Sequence, residues 1–229
     1  VFTTAPTRGD FATDLAAPLV RAGGDATEAR LDALRNFQQA ALFRVALVDL
    51  SGVLPLMKVS DRLTDIAELV LEAAIGLATA ELVARHGEPA CDDGAGPRPA
   101  RFAIVGYGKL GGLELGYGSD LDLVFLHDSA GNGQQTAGPD VLDNATFFSR
   151  LVRRIISILT LHTTTGKLYE VDIRLRPSGR SGLMVSSLAA FEQYQRDDAW
   201  TWEHQALLRA RAVAGDPGVR AAFEALRTN

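Results

Sequence analysis

The chain of 229 residues is 47% apolar and 22% charged, carries a formal charge of −5, and contains one cysteine, Cys91. That length and composition imply a folded globular core of one large domain or two small ones, not a disordered chain. They also weigh against a polyanion binder, which would carry a basic excess, exclude an internal disulfide, and leave no apolar run near the ~18 residues of a membrane span. Acidic residues at Asp10 and Asp14 interrupt any secretory leader. A start at Val1 and an end at Asn229 inside a helical pattern suggest a piece of a longer protein, in a reducing, cytoplasmic setting.

In chain order, residues 1–27, with Pro6, Gly9, Pro18, Gly23 and Gly24, read as an irregular lead-in. Apolar residues at helical spacing (Leu31, Leu34, Phe37, Ala41, Val45, Val48) predict a helix over 28–50, closed by Gly52. Ser60 or Asp61 is expected to cap a second helix that stops at Gly87 and packs on the first. Residues 87–100, dense in Gly and Pro, read as a linker. The run 102–105 predicts a buried strand, followed by a glycine-rich loop and a strand over 121–127. A second polar loop at 129–138 precedes a helix over 140–162, and Gly166 turns the chain into an alternating strand over 168–175 that Pro177 ends. Helices over 188–197, over 199–214 and from Pro217 close the chain. The expected division is 1–27 lead-in, 28–100 helical segment and linker, and 101–229 a core with C-terminal helices, with 28–229 forming one compact unit.

The chemistry concentrates on two strands. In Gly118-Ser119-Asp120-Leu121-Asp122-Leu123 the alternation of strand side chains puts Asp120 and Asp122 on one face and the leucines in the core. Two carboxylates about 7 Å apart along a strand repel unless a cation sits between them, and hard oxygen ligands suit Mg²⁺ shared with substrate phosphates. In Glu170-Val171-Asp172-Ile173-Arg174-Leu175-Arg176 the apolar residues alternate with an acid and two arginines. If this strand pairs beside the first, Asp172 joins the other two acids in a two-metal site for phosphoryl or nucleotidyl transfer, and Arg174 and Arg176 face a polyphosphate. The bland alternative is a solvated acidic face whose arginines neutralise nearby acids.

The loop from Gly106 to Ser119 holds backbone N–H groups suited to phosphate oxygens. Gly106-x-Gly108-x-x-Gly111 matches a dinucleotide fingerprint, but residues 112–120 are too short and too glycine-rich for the crossover helix that fingerprint needs. An antiparallel, hairpin-like relation fits better. A Walker A loop fails, since Gly112 and Leu113 follow where Lys and Ser or Thr belong. Trp200, Trp202 and His204 read as core or structural residues, and Arg209 and Arg211 either reach toward phosphates or face solvent.

GYGKLGGLELGYGSDLDLVFLHD at 106–128, YEVDIRLRPSG at 169–179, WTWEHQALLRARAVAGD at 200–216 and RNFQQAALFRVALVDLSGVLP at 35–55 resemble the bacterial glutamine-synthetase adenylyltransferase family, within the DNA polymerase beta-like nucleotidyltransferase superfamily. The resemblance implies an α+β fold, a small mixed sheet flanked by many helices. It implies catalytic and metal-binding roles for Asp120, Asp122 and Asp172 with two Mg²⁺ ions. ATP would lie across Gly111, Gly112 and Ser119, with Lys109, Arg174 and Arg176 against its phosphates. The gap from Gly112 to Asp120 is shorter than the superfamily pattern. Family enzymes carry two such domains, one adding AMP to a tyrosine of glutamine synthetase and one removing it by phosphorolysis. The form GSDLDLVF with WTWEHQAL resembles the adding half, the other half reading closer to SSDIDLIF. Implied partners are glutamine synthetase and, as effectors of the whole enzyme, a PII signalling protein and glutamine. The adenylyl-removing half, a silent ATP-binding module and a nucleotidyltransferase acting on nucleic acid are the alternatives.

Overall fold

The structure is a computed structural model and describes residues 4–22, 27–163, 166–177, 179 and 182–228. The expectations that fall on residues 1–3, on Gly23 and Gly24, on Ser178 and on Asn229 lie outside the described residues.

The expected irregular lead-in is instead largely helical. Helix α1 (Arg8–Arg21) starts at a capping box in which Thr7 and Asp10 satisfy each other's backbone N–H, and it buries Phe11 and Leu15. The box offsets the helix-breaking tendency of Gly9 and of Pro18, which sits in the last turn. Helices α2 (Thr27–Leu50) and α3 (Leu56–His86) form the expected packed pair, joined through Gly52 at φ +68°. α3 begins before Ser60, at Leu56 with Pro55 as its N-cap; its first turn exposes Leu56 and Met57 and so carries no apolar periodicity. It ends at Gly87 (φ +76°), where any Cβ would lie 2.3 Å from the Gly138 nitrogen.

The expected linker and second loop are also ordered. Strands β1 (Pro89–Asp92) and β2 (Pro97–Pro99) pair antiparallel with each other, and β1 pairs with β5 (Asn132–Thr136), as a three-stranded sheet in the order β2-β1-β5. Their Pro and Gly content hides them from periodicity, and the pairing itself supplies the order.

The larger sheet is mixed. Strand β3 (Phe102–Gly106) leads through the short helix α4 (Gly108–Gly111) to β4 (Leu121–His127), which runs antiparallel to it. Helix α5 (Asn144–Thr160), capped by Asp143, packs on α3. Strands β6 (Val171–Asp172) and β7 (Ser186–Ser187) both pair in parallel with β4, at its start and its end respectively. Helices α6 (Leu188–Asp197) and α7 (Thr201–Leu207) lead to β8 (Arg211–Gly215), which pairs antiparallel with β3, and helix α8 (Pro217–Thr228) follows. The expected helix over 199–214 thus breaks after Leu207. The Ala-rich run at 210–214 has high helix propensity, but the open edge of β3 recruits it as a strand. The expected strand over 168–175 shrinks to two residues, because the Asp172 carboxylate accepts a hydrogen bond from the Arg174 N–H (2.8 Å) and turns the chain.

Alternation sorts the sheet between two cores. Phe102, Ile104, Leu121, Leu123 and Phe125 face the α1–α3 and α5 side, whereas Ala103, Val105, Val124 and Leu126 meet Phe191 and Phe223 of α6 and α8. By the same period, Asp120 and Asp122 belong to the second side. There the covering layer begins only at Val124, so the start of β4 stays open. Among the described residues no helix is long and apolar enough to cross a membrane.

Candidate active site

The site lies where β4 begins. Its register with β6 pairs Leu121 with Val171 and Asp122 with Asp172, extended by a hydrogen bond from the Leu121 N–H to the Glu170 carbonyl (2.9 Å). Two acids therefore stand side by side on neighbouring parallel strands, about 4.8 Å apart at the backbone, with Asp120 two residues along the same face. The effect is electrostatic. Burial, then the charges of Asp120 and Asp172, push the Asp122 carboxyl above the usual range, while Arg174 and Lys109 pull it back. Asp120 is exposed and Asp122 half-buried. An open concavity at this point is lined by Asp120, Glu170, Asp172, Ile173, Arg174 and Arg176.

Gly108 fixes the second acid. It sits at φ +54°, and a Cβ there would lie 2.4 Å from Asp122 Oδ2. The Tyr107 N–H donates to the Asp122 carbonyl (2.9 Å), so the turn is hung directly on the acid's own backbone. The three carboxylates are oxygen donors of the kind a hard divalent cation takes, and their mutual repulsion is what such a cation relieves. Among the described residues no three such side chains are gathered into a ready cage. The reason is local: Asp172 turns its carboxylate to the Arg174 guanidinium, which donates through Nε (2.7 Å).

The remaining expected residues divide. Lys109 is exposed and close enough to act on Asp122. Arg174 lies on the turn after β6, paired with Asp172, not on the face of a continuing strand as expected. Arg176 is buried and donates to the carbonyls of Ile173 (2.6 Å) and Gly182 (3.3 Å). Its guanidinium therefore secures the turn. Ser119 Oγ accepts from the Gly116 N–H (3.0 Å) and shapes the loop. The Tyr117 hydroxyl donates to Asp49 (2.9 Å), tying the same loop to α2, and burial followed by that bond pushes the phenol up to about 12.

Gly111 has a packing reason to be glycine: a Cβ there would lie 2.0 Å from the Arg209 carbonyl oxygen and 2.5 Å from that of Gly106. The segment before β8 thus presses on the turn. Arg211, left undecided by the sequence, donates to the carbonyls of Leu110 (3.3 Å) and Gly111 (3.4 Å) and pairs with Glu68 of α3 (2.6 Å). Glu68 in turn accepts from Arg8 of α1 (2.5 Å). Trp200 and Trp202, expected in the core, are exposed. Their neighbour Glu203 is the buried one, accepting from the Trp200 N–H (2.9 Å) and the Tyr194 hydroxyl (2.9 Å). The His204 ring bonds to the Gln195 carbonyl (2.8 Å), a structural role as expected.

Comparison with known proteins gives this arrangement a context. The family model described as glutamate-ammonia ligase adenylyltransferase matches residues 2–226. The chain is 57% identical over 220 residues to the bifunctional glutamine synthetase adenylyltransferase/adenylyl-removing enzyme of Thioalkalivibrio sulfidiphilus, covering 96% of this chain and 23% of that protein. It is 54% identical to the protein of the same description from Pseudomonas putida (97% of this chain, 22% of the relative) and 52% identical to that from Hahella chejuensis (98% and 23%). The chain thus spans about a quarter of the length of these relatives. With almost its whole length matched, the chain belongs to the glutamate-ammonia ligase adenylyltransferase family.

Proposed function

We propose that this chain moves AMP from ATP to a tyrosine hydroxyl of glutamine synthetase. The observation that carries the reading is the parallel register of β4 and β6, which sets Asp172 beside Asp122 at the open end of the sheet. The relatives are named for both an adenylyltransferase and an adenylyl-removing activity. The GSDLDLVF and WTWEHQAL forms favour the transferase half. The whole enzyme would act in the cytoplasm, with a PII signalling protein and glutamine as its effectors.

In this reading the tyrosine oxygen attacks the α-phosphorus in line. A new P–O bond forms to the tyrosine, the bond to the bridging oxygen breaks, and pyrophosphate leaves. Asp120, Asp122 and Asp172 would hold two Mg²⁺ ions, which when bound supply positive charge against the phosphates and lower the cost of forming a phenolate. A free phenol titrates near 10, so it needs a base. Asp172, at the edge of the concavity, accepts the proton on its carboxylate once Arg174 turns from it to the substrate. Lys109 and Arg174 balance charge on the β- and γ-phosphates. Gly108 keeps the turn close to Asp122 and Gly111 lets the segment before β8 pack beneath it, while Gly111, Gly112 and Ser119, whose N–H groups donate to the Tyr107, Gly108 and Gly116 carbonyls, would shape the loop beside the phosphates.

The test is incubation with glutamine synthetase, Mg²⁺ and ATP labelled at either the α- or the γ-phosphorus. The expected result is α-label on a tyrosine, no γ-label, and pyrophosphate release. Label removal from pre-modified glutamine synthetase by inorganic phosphate, without forward transfer, would assign the chain to the removing half.

A further inference from the structure

Two arginines lie behind the glycine turn, and they are used differently. Arg211 is committed: its guanidinium holds two carbonyls of the turn and the half-buried pair with Glu68. Arg209 is fixed in its backbone but not in its side chain. Its carbonyl packs where a Gly111 Cβ would be, and its N–H donates to the Ala206 carbonyl (3.2 Å). Its guanidinium is half exposed and pairs with Glu114, whose own carboxylate is half exposed and whose N–H hangs on the Lys109 carbonyl (2.8 Å).

The position of that guanidinium relative to the acids is set by α4. Gly112 donates its N–H to the Gly108 carbonyl (3.0 Å), so the two glycines are one helical turn apart on one face. A side chain on Gly108 would strike the Asp122 carboxylate. A side chain on Gly112 would strike Arg209, with Nη2 at 2.9 Å and Nε at 3.2 Å from its Cβ. A strip of bare backbone about 6 Å long is therefore bounded by Asp122 at one end and a guanidinium at the other. Glycine at both positions is what lets Asp122 and the Arg209 guanidinium approach the backbone of this turn so closely.

We infer that Arg209 binds the terminal phosphates of the nucleotide across this strip, and that Glu114 holds its place when no nucleotide is bound. The inference rests on the adenylyl-transfer reading and adds to it one residue, Arg209, at the end of the strip away from Asp122. The planar fork accepts phosphate as readily as carboxylate, a polyphosphate brings more negative charge than one carboxylate, and the exposed pair it must give up is weak. Nucleotide and Glu114 then compete for one guanidinium.

That competition gives substitutions of opposite sign. Arg209→Ala is expected to raise the KM for ATP in AMP transfer about tenfold or more, and to weaken ATP binding measured by titration calorimetry while leaving AMP binding within about twofold. Glu114→Gln is expected to lower the KM for ATP severalfold, and Arg209→Lys to recover part of the Arg209→Ala loss. Both side chains are half exposed, so thermal melting should move little in either variant. A merely structural pair would weaken binding in both variants alike. An unchanged KM in Arg209→Ala, or a raised KM in Glu114→Gln, with normal ATP binding by the wild type, would overturn the assignment alone. Failure of the wild type to bind ATP or transfer AMP would overturn the reading beneath it as well.

Discussion

The two ends of β4 put the same residue types to opposite uses. At its far end Asp128 is fully engaged, accepting from the Arg101 N–H (2.6 Å) and from Arg98 (2.8 Å). Beside it, His127 stacks on Phe148 with ring centroids 4.6 Å apart, and Nδ1 accepts from the Ser129 N–H (3.2 Å). Burial holds that imidazole neutral, down to about 4. At the near end Asp122 lies beside Asp120 and Asp172, and the charge of each raises it, although the Asp172 carboxylate is turned to Arg174. One end spends its polar groups on stability. The other retains a like-charge repulsion that Arg174 and Lys109 offset in part and that a bound cation would relieve further.

Substitutions at the two ends should therefore separate activity from stability. The largest effect is expected from Asp122→Asn: AMP transfer falls by on the order of 1,000-fold or more, while the thermal midpoint stays level or rises, because an amide removes like-charge repulsion. Labelled-ATP transfer and thermal melting check the two halves of that statement. At the far end the sign reverses. A histidine lowered to about 4 binds protons more readily in the unfolded chain. Its contribution is complete above about 6.5 and is lost as pH falls toward 4, about 3 kcal/mol in all. Urea unfolding across that window should show the loss in the wild type and a flatter profile in His127→Gln, with AMP transfer at neutral pH retained.

A smaller effect is expected beneath the turn. Gly111→Ala places a methyl against two carbonyl oxygens that cannot swing aside, costing about 1–3 kcal/mol. Gly118→Ala meets nothing within 4 Å and should cost under about 0.5 kcal/mol. Equal midpoints for the two variants in denaturant would refute the close approach of residue 209. Smallest is the rim pair at the far end: Arg98→Gln should lower stability by about 1 kcal/mol or less and leave AMP transfer unchanged.

What the sequence carried was the alternation. Asp120-Leu121-Asp122-Leu123 declares a strand with acids on one face, and a glycine-rich connection too short for a crossover predicts the antiparallel β3–β4 relation that the register shows. Helix α2 and the Pro217 start of α8 are legible from apolar spacing and cap residues. Three things were hidden, each for a physical reason. The α1 capping box, Thr7 with Asp10, competes with Gly9 and Pro18, and breakers dominated the reading. Strands β1, β2 and β5 are short and rich in Gly, Pro and polar residues, so pairing defines them where periodicity cannot. Strand β8 is written in alanine and arginine, and only the edge of β3 makes it extended. For the same reason the sequence left Arg209 and Arg211 undecided between phosphate and solvent, since their place behind the turn depends on a strand pairing about 100 residues away in sequence.

The claim that Asp122 and Asp172 act as one unit is tested most directly by a double-mutant cycle on AMP transfer. Groups that hold the same reacting center are not additive. The account predicts that Asp122→Asn, Asp172→Asn and the double variant lose label transfer to a similar extent, with folding intact by circular dichroism. A folded Asp172→Asn variant that transfers AMP at the wild-type rate would contradict it.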